Sequence, residues 1–266
     1  MDAEVGIIGG SGFYSLLDDA ETVEIETDYG KPSDKVAIGT IGKKKVAFIP
    51  RHGSKHTIPP HKVPYRANIE AFNSLGVKRV ISTSACGSLR REINLGQIVL
   101  FDQLVNMTHG RDETFFDKDE VVHVSTADPY CKGLRAYASI AATDLGFEHR
   151  DVGTVVVVNG PRFSTRAESK LFISQGFDLI NMTQYPEAAL VRERAMCYLG
   201  IGIVTDYDAG LVAGGSIEPV GYADVAKVFS QNVEKVKSVL KDLVGDLPKE
   251  RDCVCGSALD GAMVKV

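Results

Sequence analysis

The sequence predicts a single α/β domain with a central mixed or largely parallel β-sheet flanked by helices. Short β-branched runs alternate along the chain with segments of helical period, and several of those runs are apolar almost throughout, as in strands covered on both faces. The 266 residues contain no internal repeat, no low-complexity tract and no linker rich in Pro, Gly or Ser, so one large core is expected.

The expected strands, in order, are "EVGIIG", "KVAIGTI", "KKVAFIP", "KRVISTS", "GQIVLFD", "VVHVS", "GTVVVVNG", "FDLINM" and "YLGIGIVTD", each bounded by glycine or polar residues. Helices are expected over 65–75, 132–145, 165–175 and 186–195. A last and longer one follows from Val225, Val228, Phe229, Val233, Val236, Val239, Leu240, Leu243 and Val244, which recur at three- and four-residue steps until Gly245 and Pro248 stop the pattern. The domain is expected over 1–248, with 249–266 as a C-terminal tail.

Composition narrows the classes of function. A formal net charge of -5 provides no basic stripe for nucleic acid, so any anion must be held locally. No apolar stretch approaches the roughly 20 residues that cross a bilayer, and the N-terminus lacks the pattern of a signal peptide, which together predict a cytoplasmic protein away from membranes. Five cysteines, an odd and scattered set, fit a reducing compartment. Cys253 and Cys255 form a "CVC" with no second pair beside it in sequence, so no metal site is expected and the two read as exposed thiols on a mobile tail.

Several segments carry chemistry. "GIIGGSGFY" sets glycines and Ser11 after the first strand, a turn whose N–H groups and hydroxyl suit an anion. It fails as a dinucleotide fingerprint, because Ser15 stands where the third glycine belongs. "RHGSKHTIPPHKVPYRAN" gathers Arg51, Lys55, Lys62 and Arg66 with His52, His56 and His61 on a backbone fixed by glycine and prolines. A basic run is most often a solvated face; here an Arg beside a His suits phosphate, the guanidinium giving two parallel donors and the imidazole a third.

"STSACGSLR" supplies small residues and hydroxyls, with Cys86 read as a buried small hydrophobe rather than a nucleophile. In "VVNGPRFSTRAE", Gly160-Pro161 forces a turn beside Phe163, a face for a flat ring, and in "INMTQYPEA" Met182 and Thr183 stand between strand and helix. Residues such as Phe163 and Met182 are more often core than ligand contacts. "TDYD" ends an apolar strand in Asp206 and Asp208, which share a side if the extended geometry persists; the plainer alternative is a solvated strand end. The loop 209–221 is glycine-rich and reads either as an ordinary connection or as a lid.

Taken in order and spacing, "GIIGGSG", "RHGSKHTIPPHKVPYRANI", "TSACGSLR", "NGPRFSTRAES", "INMTQYPEA" and "TDYD" closely resemble the trimeric purine nucleoside phosphorylase family, and within it the methylthioadenosine phosphorylases. The likeness runs from about Gly6 to about Asn232. It implies one α/β domain around a mixed, barrel-like sheet, a homotrimer or a hexamer, and no metal or organic cofactor, inorganic phosphate being a co-substrate. The implied reaction is phosphorolysis of 5'-methylthioadenosine to adenine and 5-methylthioribose 1-phosphate, in purine and methionine salvage. Carried over by motif, phosphate would be held by Ser11, Arg51, His52, Ser84, Ala85 and Thr183, with Met182 under the ribose and Phe163 against the base. Asp206 and Asp208 would face the purine edge as the catalytic pair, Tyr222 and Val225 would enclose the 5' group, and His123 would reach a neighbour's 5' pocket.

Chemistry then separates the two acids. Asp206 would deliver a proton to N7 as the base departs, and Asp208 would accept from the 6-amino group, where a 6-oxopurine would be repelled. The sequence departs from the family where Ala209-Gly210-Leu211 replaces a bulky aromatic and where Tyr222 can bond a 5'-hydroxyl. Phosphorolysis of adenosine, or of inosine and guanosine, is therefore the rival, and a non-catalytic nucleoside-binding protein a third reading.

Overall fold

The computed structural model describes residues 2–211 and 221–264, with Ser11 and Tyr14 described by backbone alone. The Ser11 hydroxyl and most of the suspected lid therefore lie outside the described residues. The strands are β1 (Val5–Gly9), β2 (Asp18–Val23), β3 (Val36–Ile41), β4 (Lys44–Pro50), β5 (Arg79–Ser88), β6 (Ile98–Leu100), β7 (Gln103–Met107), β8 (His149–Arg150), β9 (Thr154–Val158), β10 (Leu179–Asn181) and β11 (Cys197–Tyr207). The helices are α1 (Tyr65–Ser74), α2 (Lys132–Asp144), α3 (Arg166–Ser174), α4 (Gln184–Glu193) and α5 (Tyr222–Asp246).

These strands form one mixed, branched sheet. Its main path runs β2-β3-β4-β1-β5-β10-β9-β7, and a branch leads from β5 through β11 and β6 to β8. β1 lies parallel to both β4 and β5, whereas β10 meets β5 antiparallel. Helices cover both faces. Ile8 and Val80 pack with Ile69, Phe72, Ala188 and Leu190 of α1 and α4. Ile7 and Ile81, one residue on in the pleat, pack with Leu134 and Ala138 of α2 and with Val236, Val239, Leu240, Leu243 and Val244 of α5. Those α5 side chains are fully buried, and each contributes roughly 1.5–3 kcal/mol by leaving water. α3 begins with a capping box, in which Thr165 Oγ1 accepts from Glu168 N at 3.1 Å and Glu168 Oε2 accepts from Thr165 N at 2.7 Å.

Two expectations need correction. "VVHVS" is no strand: Val122 makes an isolated bridge with Met263 and nothing more, because its exposed neighbours lie against no sheet edge. The C-terminal thiols are not both exposed either. Arg79 Nη2 donates to the carbonyls of Pro248 and Glu250 at 2.8 and 2.9 Å, which lays the segment along the body and leaves Cys255 buried. Among the described residues no helix is long and apolar enough to cross a membrane.

Candidate active site

One edge of β5 changes partner midway. β1 pairs with residues 79–82 and β10 with residues 87 and 88, while β11 follows the other edge from end to end. Residues 83–86 thus face no strand on the first edge among the described residues, and backbone N–H groups that point to such an edge stay free for a ligand. The gap opens onto a cavity of about 740 Å³, lined there by Thr83, Ser84, Ala85 and Cys86. Arg51, His52, Phe163, Met182, Thr183, Asp206, Asp208, Tyr222 and Val225 line the same cavity, with Gly10 and Gly12 on either side of Ser11. His123 does not: it is exposed, on a loop where its N–H donates to Ala262 O at 2.9 Å.

Unpaired polar atoms mark the cavity as a binding site. Among the described residues, seven buried side-chain nitrogen or oxygen atoms lack a hydrogen-bond partner, and five belong to residues lining this one cavity: Thr83 Oγ1, Ser164 Oγ, Asn181 Oδ1, Thr183 Oγ1 and Asp208 Oδ2. Since buried polar groups left unpaired cost about 1–3 kcal/mol each, their concentration here points to a polar ligand. Ser84 is prepared in the same sense. Its Oγ accepts from Asn181 Nδ2 at 3.2 Å and otherwise meets only the weakly bonding Cys86 Sγ at 3.7 Å, so its hydrogen can turn to a ligand.

Arg51 differs from the open fork that its sequence context suggests. Nε and Nη2 grip the buried carboxylate of Glu187 on α4, Nη2 also reaches Ser82 Oγ at 2.7 Å, and Nη1 donates to Thr83 O at 2.9 Å. The guanidinium thus ties β4, β5 and α4 together and keeps a remaining Nη1 hydrogen for the cavity. Burial opposes its charge, but Glu187 outweighs burial and holds the pKa above the ordinary arginine value. His52 is pushed down to about 4, first by burial and then by the charge of Arg51, so its ring is neutral at pH 7. Its Nδ1 lies 2.8 Å from Ile58 O, which can only accept. Nδ1 therefore carries the proton, and Nε2 is left as an acceptor rather than as the third donor expected. Of the other basic residues of that loop, Arg66 is engaged by Asp112 and Asp117, and Lys55 and Lys62 are exposed.

The acids stand where β11 is irregular. Val204 pairs with Cys86 and Asp206 with Gly87, so Thr205 is an extra residue, and this bulge turns Thr205, Asp206 and Asp208 all toward the cavity. Burial raises the Asp206 pKa to about 6 and the negative charge of Asp208 adds to it, against a 2.8 Å hydrogen bond from Thr205 Oγ1. Asp208 is also raised, by burial, against hydrogen bonds from Ser169 and the Ala209 N–H. Gly87 is needed opposite, because a Cβ there would stand 3.0 Å from Asp206 Oδ2. Cys86 has its thiol pushed up to about 12 by burial, so it stays protonated and is no nucleophile.

Met182 lies against the turn that precedes Phe163: Gly160 there has a positive φ, and a Cβ on it would come within 2.5 Å of Met182 Sδ. Arg111 fixes that corner: it donates to the carbonyls of Asn159 and Met182, both at 2.9 Å, and to that of Tyr185. Sequence reasoning missed Arg111, which sits in an unremarkable charged loop. It also read Phe229 and Val233 only as core, although they line the cavity one and two turns beyond Val225; their recurrence on the Val225 face of α5 was the available signal.

A model of the phosphorylase superfamily matches residues 4–245. The chain is 50% identical over 263 residues to an S-methyl-5'-thioadenosine phosphorylase of Thermofilum pendens, covering 98% of each chain. It is 48% identical to a purine nucleoside phosphorylase of Streptomyces coelicolor, covering 98% of this chain and 96% of that one. Among solved structures, a methylthioadenosine phosphorylase of Schistosoma mansoni in complex with adenine superposes with a TM-score of 0.91 at 33% identity, over 98% of this chain and 97% of that one. The branched mixed sheet, its break at β5 and these matches over nearly the full length agree: the chain belongs to the phosphorylase superfamily.

Proposed function

We propose that this protein cleaves 5'-methylthioadenosine with inorganic phosphate, giving adenine and 5-methylthioribose 1-phosphate. The observation that carries this reading is one cavity holding hydroxyls, an arginine and free backbone at the β5 gap together with two acids of raised pKa at the β11 bulge. Hydrogen phosphate, held by Arg51, Ser84, Ala85 and Thr183, attacks C1' while the N9–C1' electron pair withdraws into the purine. Asp206, protonated in roughly a tenth of molecules at pH 7 and in more as the departing base gains charge, gives its proton to N7. The proton lost by phosphate restores Asp206 through solvent. Nε2 of His52 accepts from the phosphate hydroxyl, and Asp208 accepts from the 6-amino group.

Adenosine is the second reading, favoured by Tyr222, which stands at the rim with its ring 5.8 Å from that of His56 and its hydroxyl available to a 5'-OH. The working form in this proposal is a homotrimer in which His123 completes a neighbour's pocket. Pure protein incubated with methylthioadenosine should release adenine only when phosphate is present, with kcat/KM above that for adenosine and inosine. Folded protein that releases none removes the proposal, and a higher kcat/KM for adenosine replaces it with the second reading.

A further inference from the structure

Away from the cavity, the fold brings together four of the five cysteines. Cys131 immediately precedes α2, Cys197 opens β11, and Cys253 and Cys255 flank Val254 in the C-terminal segment. Their sulfurs all lie within 4.8 Å of one another, with Cys197 and Cys253 at 3.4 Å. Three of the four are buried and Cys253 is half-buried. The "CVC" that lacked a second pair in sequence acquires one in space.

We propose that these four thiolates bind one tetrahedral divalent transition ion, Zn²⁺ being the ion their chemistry suits. A Zn–S bond of about 2.3 Å sets the sulfurs of a regular tetrahedron about 3.8 Å apart, which the mutual spacing accommodates. The donor set holds no carboxylate or imidazole, and an all-thiolate tetrahedron selects a soft ion over Mg²⁺ or Ca²⁺. Two disulfides would require closeness only within pairs, and one across Cys253 and Cys255 would close a small strained ring, whereas a shared central ion requires all four sulfurs to converge. The surroundings suit the net negative charge of such a centre. Arg251 Nη1 lies 4.0 Å from Cys197 Sγ, and buried Arg79 borders, with Cys131, Cys197 and Cys253, a cleft of about 20 Å³. Cys131 also sits at the positive end of the α2 dipole.

The ion would join the start of α2, the start of β11 and the C-terminal segment, and so hold the segment whose Ala262 and Met263 brace the loop carrying His123. This role is structural and independent of the proposed reaction. The test is metal analysis of full-length protein purified under reducing conditions without chelator. One zinc per chain is expected, lost in a Cys253→Ser, Cys255→Ser double variant and kept in Cys86→Ser. Should the double variant not fold, wild type still decides. After chelation and denaturation without reductant it should show all five thiols, and the metal-free form should take up Co²⁺ with sulfur-to-metal charge-transfer bands. A single titratable thiol, which means two disulfides, overturns the proposal. So does failure to take up Zn²⁺ or Co²⁺ with all thiols free, or zinc that stays in the folded double variant.

Discussion

Asp206 holds its proton more tightly in the folded chain, at a pKa of about 6, than an unfolded aspartate at 3.8. Its favourable contribution to stability is therefore complete below about pH 3.8 and is lost as pH rises through about 6. At pH 7.5 the native state carries a buried charge whose cost is about 2 kcal/mol, less than the full shift implies because the carboxyl borders the open cavity. Asp206→Asn removes the charge and keeps the shape. Denaturant titrations should show the variant gaining about 2 kcal/mol on wild type between pH 4 and pH 7.5, while phosphorolysis falls roughly 10²–10⁴-fold. A stability difference that does not change with pH would mean that Asp206 has an ordinary carboxyl, unsuited to general acid work. The acids were legible in sequence because an apolar strand ending in "TDYD" is a local pattern. The state of Arg51 was not, since its partner Glu187 lies 136 residues away and only the fold brings them together.

At the scale of elements, the cavity depends on two breaks in regularity, the partner change along β5 and the bulge in β11. Neither leaves a composition signal, because both residue runs read as continuous strand. The long buried strands and the α5 stripe were legible for the opposite reason, as repeated local patterns. β2 was not: "DDAETV" is charged and exposed, and it pairs only with β3 as an edge strand. The corner that positions Phe163 and Met182 is held by Arg111, whose planar fork reaches three carbonyls of two separate loops. Arg111→Ala frees both loops, and displacement of about 1 Å at a reacting centre costs about 10²-fold in rate. That loss is expected in kcat/KM with the melting temperature little changed, and Arg111→Lys should not rescue it, since a single ammonium cannot span the three acceptors. Full activity in Arg111→Ala would show that the corner holds itself.

At the scale of the molecule, His123 stands out, because it is exposed and does not line the cavity of its own chain. In the cyclic trimer proposed above, one chain would supply Asp206 to a site and its neighbour would supply His123. Subunit mixing separates this arrangement from a purely local role. His123→Ala leaves Asp206 intact but weakens nucleoside binding, raising KM about tenfold, a hydrogen bond's worth; Asp206→Asn leaves His123 intact but stops chemistry. In trimers assembled at random from equal amounts of the two variants, a chain bearing Asp206 stands before a neighbour bearing His123 at roughly a quarter of all sites. Those sites regain the wild-type constellation. Co-expressed variants, assayed at low nucleoside concentration, should therefore exceed the averaged activity of the two variants assembled separately, approaching roughly a quarter of the wild-type rate. Activity equal to that average would mean that each chain completes its own pocket and that His123 serves only to hold its loop against the C-terminal segment.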